Sequence, residues 1–384
     1  MRHVAETPRC GGIATRSAPL RRAFVSRLNV GGGTSTLRLM VNLIDSAILR
    51  STTGEDMADE AEQGVWVGFD LGGTKMLAQA YDNNFKIIGK DRRKTKSAEN
   101  SESGLDRVIL TIRTCLENGG IDPSRLAGIG IGCPGPVDMD RGIVLNPPNM
   151  GWEDVNVRKR LEAEFKCPIA VLNDVDAGVY GEYRFGAAIG ARCVVGVFPG
   201  TGIGGGCVYN GEVLRGRGSS CLEIGHMPIL PNGPLCGCGQ RGCLEAVASR
   251  TAIAAQAARA VLRGDAPALA KSVGSDVANI RSGDLAASIR DGDHAVEEII
   301  YDAARAIGTS IAAVVNLLCP DVIVMGGGLV EAMPEIFVDF SLKVARKSVM
   351  PAYRRSFTMV AAQLQDDAGA TGAAAWVKHT VTGK

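Results

Sequence analysis

VGFDLGGTKMLAQAYDNNFKIIG (67–89) and CVVGVFPGTGIGGGCVYNGEVLRG (193–216) follow one plan almost position for position. Each reads as an apolar run, a glycine turn, a second run, a short polar turn and a third run. Such runs bounded by Gly and Asn predict strands joined as hairpins. A strand–hairpin unit that occurs twice in one chain predicts an α/β fold of two similar lobes facing each other.

The segments around the two copies fit that plan. Leu105, Val108, Ile109, Ile112 and Leu116 carry helical spacing over 104–117, closed by Gly119 and Gly120. LAGIGIGCPG (126–135) reads as a buried strand entering a Pro/Gly loop. VRKRLEAEF (157–165) reads as an amphipathic helix, and PIAVLND (168–174) as a strand ending on a carboxylate. Beyond the second copy, helices are expected near 247–263 and 295–318, a strand in DVIVMGGG (321–328), and a closing helix. The Gly/Asp/Ser-rich stretch 264–293 is expected to be loops. The expected organisation is an extension over 1–62, a first lobe over 63–190 and a second over 191–384, the last helix returning to the first lobe.

Composition narrows the function classes. Hydrophobic residues make up 46% and charged residues 22%, near the averages for globular chains. The formal net charge of +1 gives no global field to draw in nucleic acid or an anionic membrane. There is no apolar run of about 18 residues, so no membrane span is expected. Eleven scattered cysteines suggest free thiols in a reducing, cytoplasmic setting. The first 50 residues hold eight Arg, no Lys and two acids. That is transit-peptide composition, or else the chain's true start is Met40 or Met57.

Glycine, at 49 of 384 residues, is nearly twice the usual ~7% and is clustered. DLGGTK (70–75) and PGTGIGGG (199–206) each join two strands, where backbone N–H groups can converge on phosphate oxygens. Thr74 and Lys75 can donate to phosphate, and Asp70 can hold Mg²⁺ through water. Gly200, Gly202 and Gly205 also fit G-x-G-x-x-G, but a strand follows where a dinucleotide fold needs a helix. Asp174 closes a buried strand, the place where α/β sheets bind ligands, and can act there as a general base. Asn173 can hold a substrate by its amide; the competing reading of this pair is a helix cap.

CLEIGHMPILPNGPLCGCGQRGCLEA (221–246) supplies His226, Cys236, Cys238 and Cys243, a Cys₃His set suited to closed tetrahedral zinc. With no open position, such a zinc shapes the loop and does not catalyse. It would fix Glu223 and Glu245 in space. Two fixed acceptors and the second ring nitrogen of His226 make a clamp for hydroxyls, hence for a sugar.

Together DLGGTK, CPGPVD (133–138), PPNMGW (147–152), LND (172–174), GTGIGGG (200–206), EIGH (223–226), CGCGQRGCLE (236–245) and VMGGGL (324–329) resemble the ROK family of sugar kinases and sugar-responsive repressors. The resemblance runs from about Val65 to about Val377. It implies two actin-like (ribonuclease H-like) ATPase lobes with the site in the cleft, and ATP, Mg²⁺ and a structural zinc. It implies Asp174 as the catalytic base and Asn149, Asn173, Asp174, Glu223, His226 and Glu245 as sugar contacts. The nucleotide would meet Asp70, Gly72, Gly73, Thr74, Lys75, Gly200, Thr201 and Gly202, with its adenosine end at Gly326, Gly327 and Gly328. The implied activity is phosphorylation of a hexose, foremost glucose at the 6-hydroxyl, by a homodimer. Alternatives are N-acetylmannosamine, N-acetylglucosamine, fructose or allose as acceptor, polyphosphate as donor, or a repressor needing a helix-turn-helix module. The chain departs from the family pattern at Pro199, at Asp176 for the usual Asn, at Leu222 for a common Gly, and at Gln365–Asp366–Asp367 for Gly-Asn-Asp.

Overall fold

A computed structural model describes residues 64–383, except 74, 96–100, 146–150, 218 and 220. The expectations for 1–62, Thr74 and Asn149 lie outside the described residues. Strands Val65–Leu71 (β1), Lys75–Tyr81 (β2), Ile87–Lys94 (β3) and Leu126–Cys133 (β4) come first. A small antiparallel sheet of Val137–Asp138 (β5), Ile143–Val144 (β6) and Val155–Asn156 (β7) follows, then Ile169–Asn173 (β8). The later strands are Cys193–Pro199 (β9), Ile203–Tyr209 (β10), Glu212–Val213 (β11), Val322–Met325 (β12) and Thr358–Ala361 (β13).

The first sheet has the order β3-β2-β1-β4-β8 and the second β11-β10-β9-β12-β13. In both, the first three strands in sequence are antiparallel and the last two parallel to the first. The duplication read from the two hairpins is therefore a duplication of whole sheets, the pattern of the two-lobed actin-like fold. Register places Asp70 beside Gly132, and Cys133 beside Asn173, at the carboxyl end of the first sheet. Met325 lies beside Val197 and Ala361 at the same end of the second. Both carboxyl ends supply walls of the cavities described below.

The terminal helix Ala368–Thr382 lies on β1 and β4 and against the helix Asp174–Phe185. Glycine permits this approach. A β-carbon at Gly68 would come 1.8 Å from Ala370 O, one at Gly130 1.8 Å from Ala373 O, and one at Gly372 1.7 Å from Ala177 O. Buried Glu182 ties the same region together. Its Oε1 accepts from Leu364 N–H (2.7 Å) and its Oε2 from Ala187 N–H (2.8 Å). One apolar core surrounds the first sheet and this helix pair; another surrounds β9, β10, β12 and the helices Arg250–Arg263 and His294–Leu318.

One expectation fails. Residues 264–293 are not loops: they hold helices Pro267–Val273 and Ser282–Arg290. Buried Asp293 serves both. It accepts from Ala268 N–H (3.1 Å) and Leu269 N–H (2.8 Å) at the start of the first helix, and from Ser288 Oγ (2.7 Å) in the second. A carboxylate that caps from about 25 residues away leaves no local signal. Among the described residues no helix is long and apolar enough to cross a membrane.

Candidate active site

Two cavities adjoin in this fold. One, of about 590 Å³, is walled by Asp70 and Lys75 from the first hairpin, Gly326–Gly328 after β12, and Asp366. The other, of about 680 Å³, is walled by Asn173, Gly200–Gly205, Glu223, His226 and Glu245. Both touch Asp174, Val175 and Phe198.

In the first cavity Gly72 N–H donates to Lys75 O (3.0 Å), closing the hairpin turn so that Asp70 and Lys75 face the space together. Burial pushes the Asp70 carboxyl up to about 6, with Lys75 opposing the shift and Asp366 adding to it. A buried carboxylate that resists ionisation alone is a fitting partner for a hydrated Mg²⁺. Gly327 has φ +86°, and a β-carbon there would stand 2.9 Å from Pro199 O. The glycine run after β12 thus bends tightly past the second hairpin and leaves its backbone on the cavity wall. Phe198 packs on it: a β-carbon at Gly326 would meet the ring at 2.4 Å.

At the junction the cap reading of Asn173 is met, and Asp174 stands on the wall of both cavities. Asn173 is the helix cap: its Oδ1 accepts from Val175 N–H (2.8 Å) and Asp176 N–H (3.2 Å), and its amide donates to Gly135 O (3.0 Å). Asp174 is the first residue of the capped helix and faces the cavities. Burial raises its carboxyl to about 7, helped by the charge of Asp70 and, more weakly, Glu223. A carboxyl with that proton affinity takes up and releases protons near neutrality.

The turn Gly200–Gly202 flanks the second cavity, beside the junction and not in the cavity of Asp70. Gly200 N–H donates to Gly202 O (2.8 Å). Glu245 Oε2 accepts Ile203 N–H (2.9 Å), and a β-carbon at Gly202 would strike that carboxylate at 2.3 Å. Arg250 donates to Thr201 Oγ1 (2.9 Å). Glu245 therefore fixes this turn, with its carboxylate still on the cavity wall.

His226, Cys236, Cys238 and Cys243 bring their ligand atoms within 4.8 Å of one another. Cys238 Sγ and Cys243 Sγ are 3.7 Å apart, and Cys236 Sγ is 3.6 Å from His226 Nδ1. Zinc–sulfur bonds of about 2.3 Å in a tetrahedron set thiolates about 3.8 Å apart. The four residues fit a structural zinc, with the His226 ring also on the cavity wall.

Two parts of the cavity walls carry no functional signal in the sequence. Phe198 stands in VFPGTG as an ordinary strand residue; its position between the cavities depends on Gly326, 128 positions on. Pro134–Gly135–Pro136 forms a wall of the second cavity, although CPGPVD carried only the family resemblance.

The chain is similar to a glucokinase of Thermotoga maritima, 34% identical over 83% of this chain and 98% of that protein. It is similar in structure to a ROK family glucokinase from Streptomyces griseus in complex with glucose and AMPPNP, with TM-score 0.72 and 31% identity over 82% of this chain and 100% of that one. A xylose repressor of Bacillus subtilis matches at 26% identity over 93% of this chain and 90% of its own length. The ROK family model matches residues 66–380, and with that span, the duplicated sheets and the Cys₃His loop, the chain belongs to the ROK family.

Proposed function

We propose that this chain transfers the γ-phosphoryl group of ATP to a hexose, with glucose and its 6-hydroxyl as the acceptor. The observation that carries the reading is that Asp174 is common to two cavities of different chemistry. The cavity with Asp70, Lys75 and the Gly326–Gly328 run takes the nucleotide. The cavity with Asn173, Glu223, His226 and Glu245 takes the sugar. The acceptor hydroxyl then meets the terminal phosphate at Asp174, a carboxylate that borders both spaces.

Asp174 accepts the hydroxyl proton as the oxygen attacks in line. Lys75 and the glycine-turn N–H groups hold phosphate oxygens, and positioning and charge stabilisation supply most of the rate. A Mg²⁺ brought in with ATP would neutralise the β- and γ-phosphates, and Asp70 would hold it through water. His226, Cys236, Cys238 and Cys243 would hold zinc, which fixes the loop carrying Glu223 and Glu245. Asn173 keeps Asp174 at the head of its helix and has a second amide N–H for the sugar. Closure around the sugar excludes water, the competing nucleophile. A cytoplasmic homodimer completes the reading; the unpaired thiols among the described residues fit a reducing setting.

The kinase reading is preferred to the repressor one because Asp70, Lys75 and Asp174 line the cavities. The test is coupled ADP release with ATP across glucose, fructose, allose, N-acetylglucosamine and N-acetylmannosamine, and glucose 6-phosphate formation with polyphosphate as donor. Turnover is expected with ATP and glucose. A chain that releases no ADP in the presence of any hexose sinks the proposal.

A further inference from the structure

Glu223 reaches the second cavity from a segment whose backbone is forced. The residue before it, Leu222, has φ +72°, the left-handed region that glycine occupies freely and leucine does not. Strain of this kind persists only where the surroundings over-determine the conformation, and three contacts do so here. Leu222 O accepts Ile224 N–H at 2.7 Å, closing a tight turn around Glu223. The Leu222 side chain packs on the apolar core of the second sheet. The segment is also pressed onto β10: a β-carbon at Gly205 would stand 2.4 Å from Leu222 O, and one at Gly225 would stand 2.0 Å from Ile203 O.

We infer that Leu222 is a positioning residue for Glu223. Its half-buried side chain, packed against the core, holds a turn that glycine would leave loose, and so fixes the carboxylate in the sugar cavity and sharpens the choice among hexoses. A glycine at 222 would accept φ +72° without strain but would have no side chain to pack against the core. The Glu223 carboxylate, itself exposed, would then sample several positions. A hexose would bind more weakly, and epimers differing in one hydroxyl would be less well told apart. Nucleotide contacts lie in the other cavity and are untouched. The inference rests on the sugar-kinase reading above, and its test separates the two.

Leu222→Gly and Leu222→Met are compared with the unaltered protein. Leu222→Gly should raise KM for glucose about tenfold and flatten the kcat/KM ranking across hexose epimers about fivefold, with KM for ATP within twofold. Leu222→Met keeps a β-carbon and an apolar chain and should restore the unaltered values. Amide hydrogen exchange over 221–226 gives a readout without turnover: faster by tenfold or more in Leu222→Gly and unchanged in Leu222→Met. Leu222→Gly with unaltered exchange and sugar KM overturns the inference. A loss that falls equally on the KM for ATP also overturns it, since that marks general loosening. If the unaltered chain phosphorylates no hexose, the functional reading fails, and the exchange experiment still decides whether Leu222 holds the turn.

Discussion

Lys75 Nζ lies 2.5 Å from Asp366 Oδ1, across 291 residues of chain, and Arg92 donates to the other oxygen of the same carboxylate at 2.6 Å. Asp366 thus occupies two cations, and one of them, Lys75, shares with it a wall of the proposed nucleotide cavity, where phosphate oxygens would compete for it. Both side chains of the Lys75 pair are about half exposed, at 43% and 55%. Such a pair contributes roughly 0–1 kcal/mol to stability, so the contact can exchange. Asp366→Asn is expected to lower KM for ATP about two- to fivefold with Tm almost unchanged. An ATP titration at fixed glucose reads this, and a raised KM would show that Asp366 orients Lys75 and does not compete for it.

Asp174→Asn separates catalysis from stability. Removing the proposed base should lower kcat by roughly 10²–10⁴-fold while sugar binding, followed by calorimetry, is retained. Near-normal turnover removes Asp174 from its role.

The same variant has a signature in pH. The folded-state carboxyl sits at about 7, above the ordinary 3.8. A raised carboxyl favours the folded state while protonated, so its contribution is present below about pH 4 and lost as pH rises through about 7. Asn cannot ionise and escapes that loss. Without ligands, Asp174→Asn should therefore melt higher than the unaltered protein at pH 8, by about 1–2 kcal/mol after solvent screening or roughly 1–3 °C. The gap should narrow towards pH 4. Equal melting curves at pH 8 would mean that the Asp174 carboxyl is not held up.

Much of this arrangement was legible in the sequence, for local reasons. The paired hairpins gave the duplicated sheets because strand and turn signals are short-range. The Cys₃His spacing gave the ligand cluster because loop ligands lie close in sequence. Two departures from the family pattern acquired their meaning only from the backbone. Leu222 and Gln365, both standing where Gly is usual, have φ +72° and +49°. The small sheet β5–β7 escaped because two-residue strands carry no periodicity. The helices within 264–293 escaped because Gly274, Gly283 and Gly292 read as loop punctuation, while the Asp293 cap is non-local.

Metal removal tests the proposed zinc loop. Chelation should disorder 223–245, because the cluster closes a loop made of turns and isolated bridges between Pro228 and Cys243 and between Leu235 and Arg241. Glucose affinity should fall at least tenfold, and nucleotide affinity should change less than twofold, since no residue of that loop lines the first cavity. Metal content by mass spectrometry and separate sugar and nucleotide titrations check this. Intact sugar binding in metal-free protein contradicts a shaping role for the metal.

Two helical glycines, Gly372 and Gly283, stand in opposite surroundings. Gly372 touches the helix Asp174–Phe185 so closely that a β-carbon would lie 1.7 Å from Ala177 O, a backbone atom that cannot rotate away. Gly372→Ala must therefore push the terminal helix off the helix that carries Asp174, at a cost of about 2–3 kcal/mol. It should also lower kcat, because the head of that helix moves. Gly283, in the helix Ser282–Arg290, has nothing within 4 Å of its would-be β-carbon and no positive φ. Gly283→Ala should stabilise by about 0.5–1 kcal/mol through helix propensity and a less mobile unfolded chain, with turnover unchanged. Urea unfolding of both variants reads the difference directly. If Gly372→Ala unfolds at the same midpoint as Gly283→Ala, the two helices are not in the close contact that here positions the proposed base, Asp174.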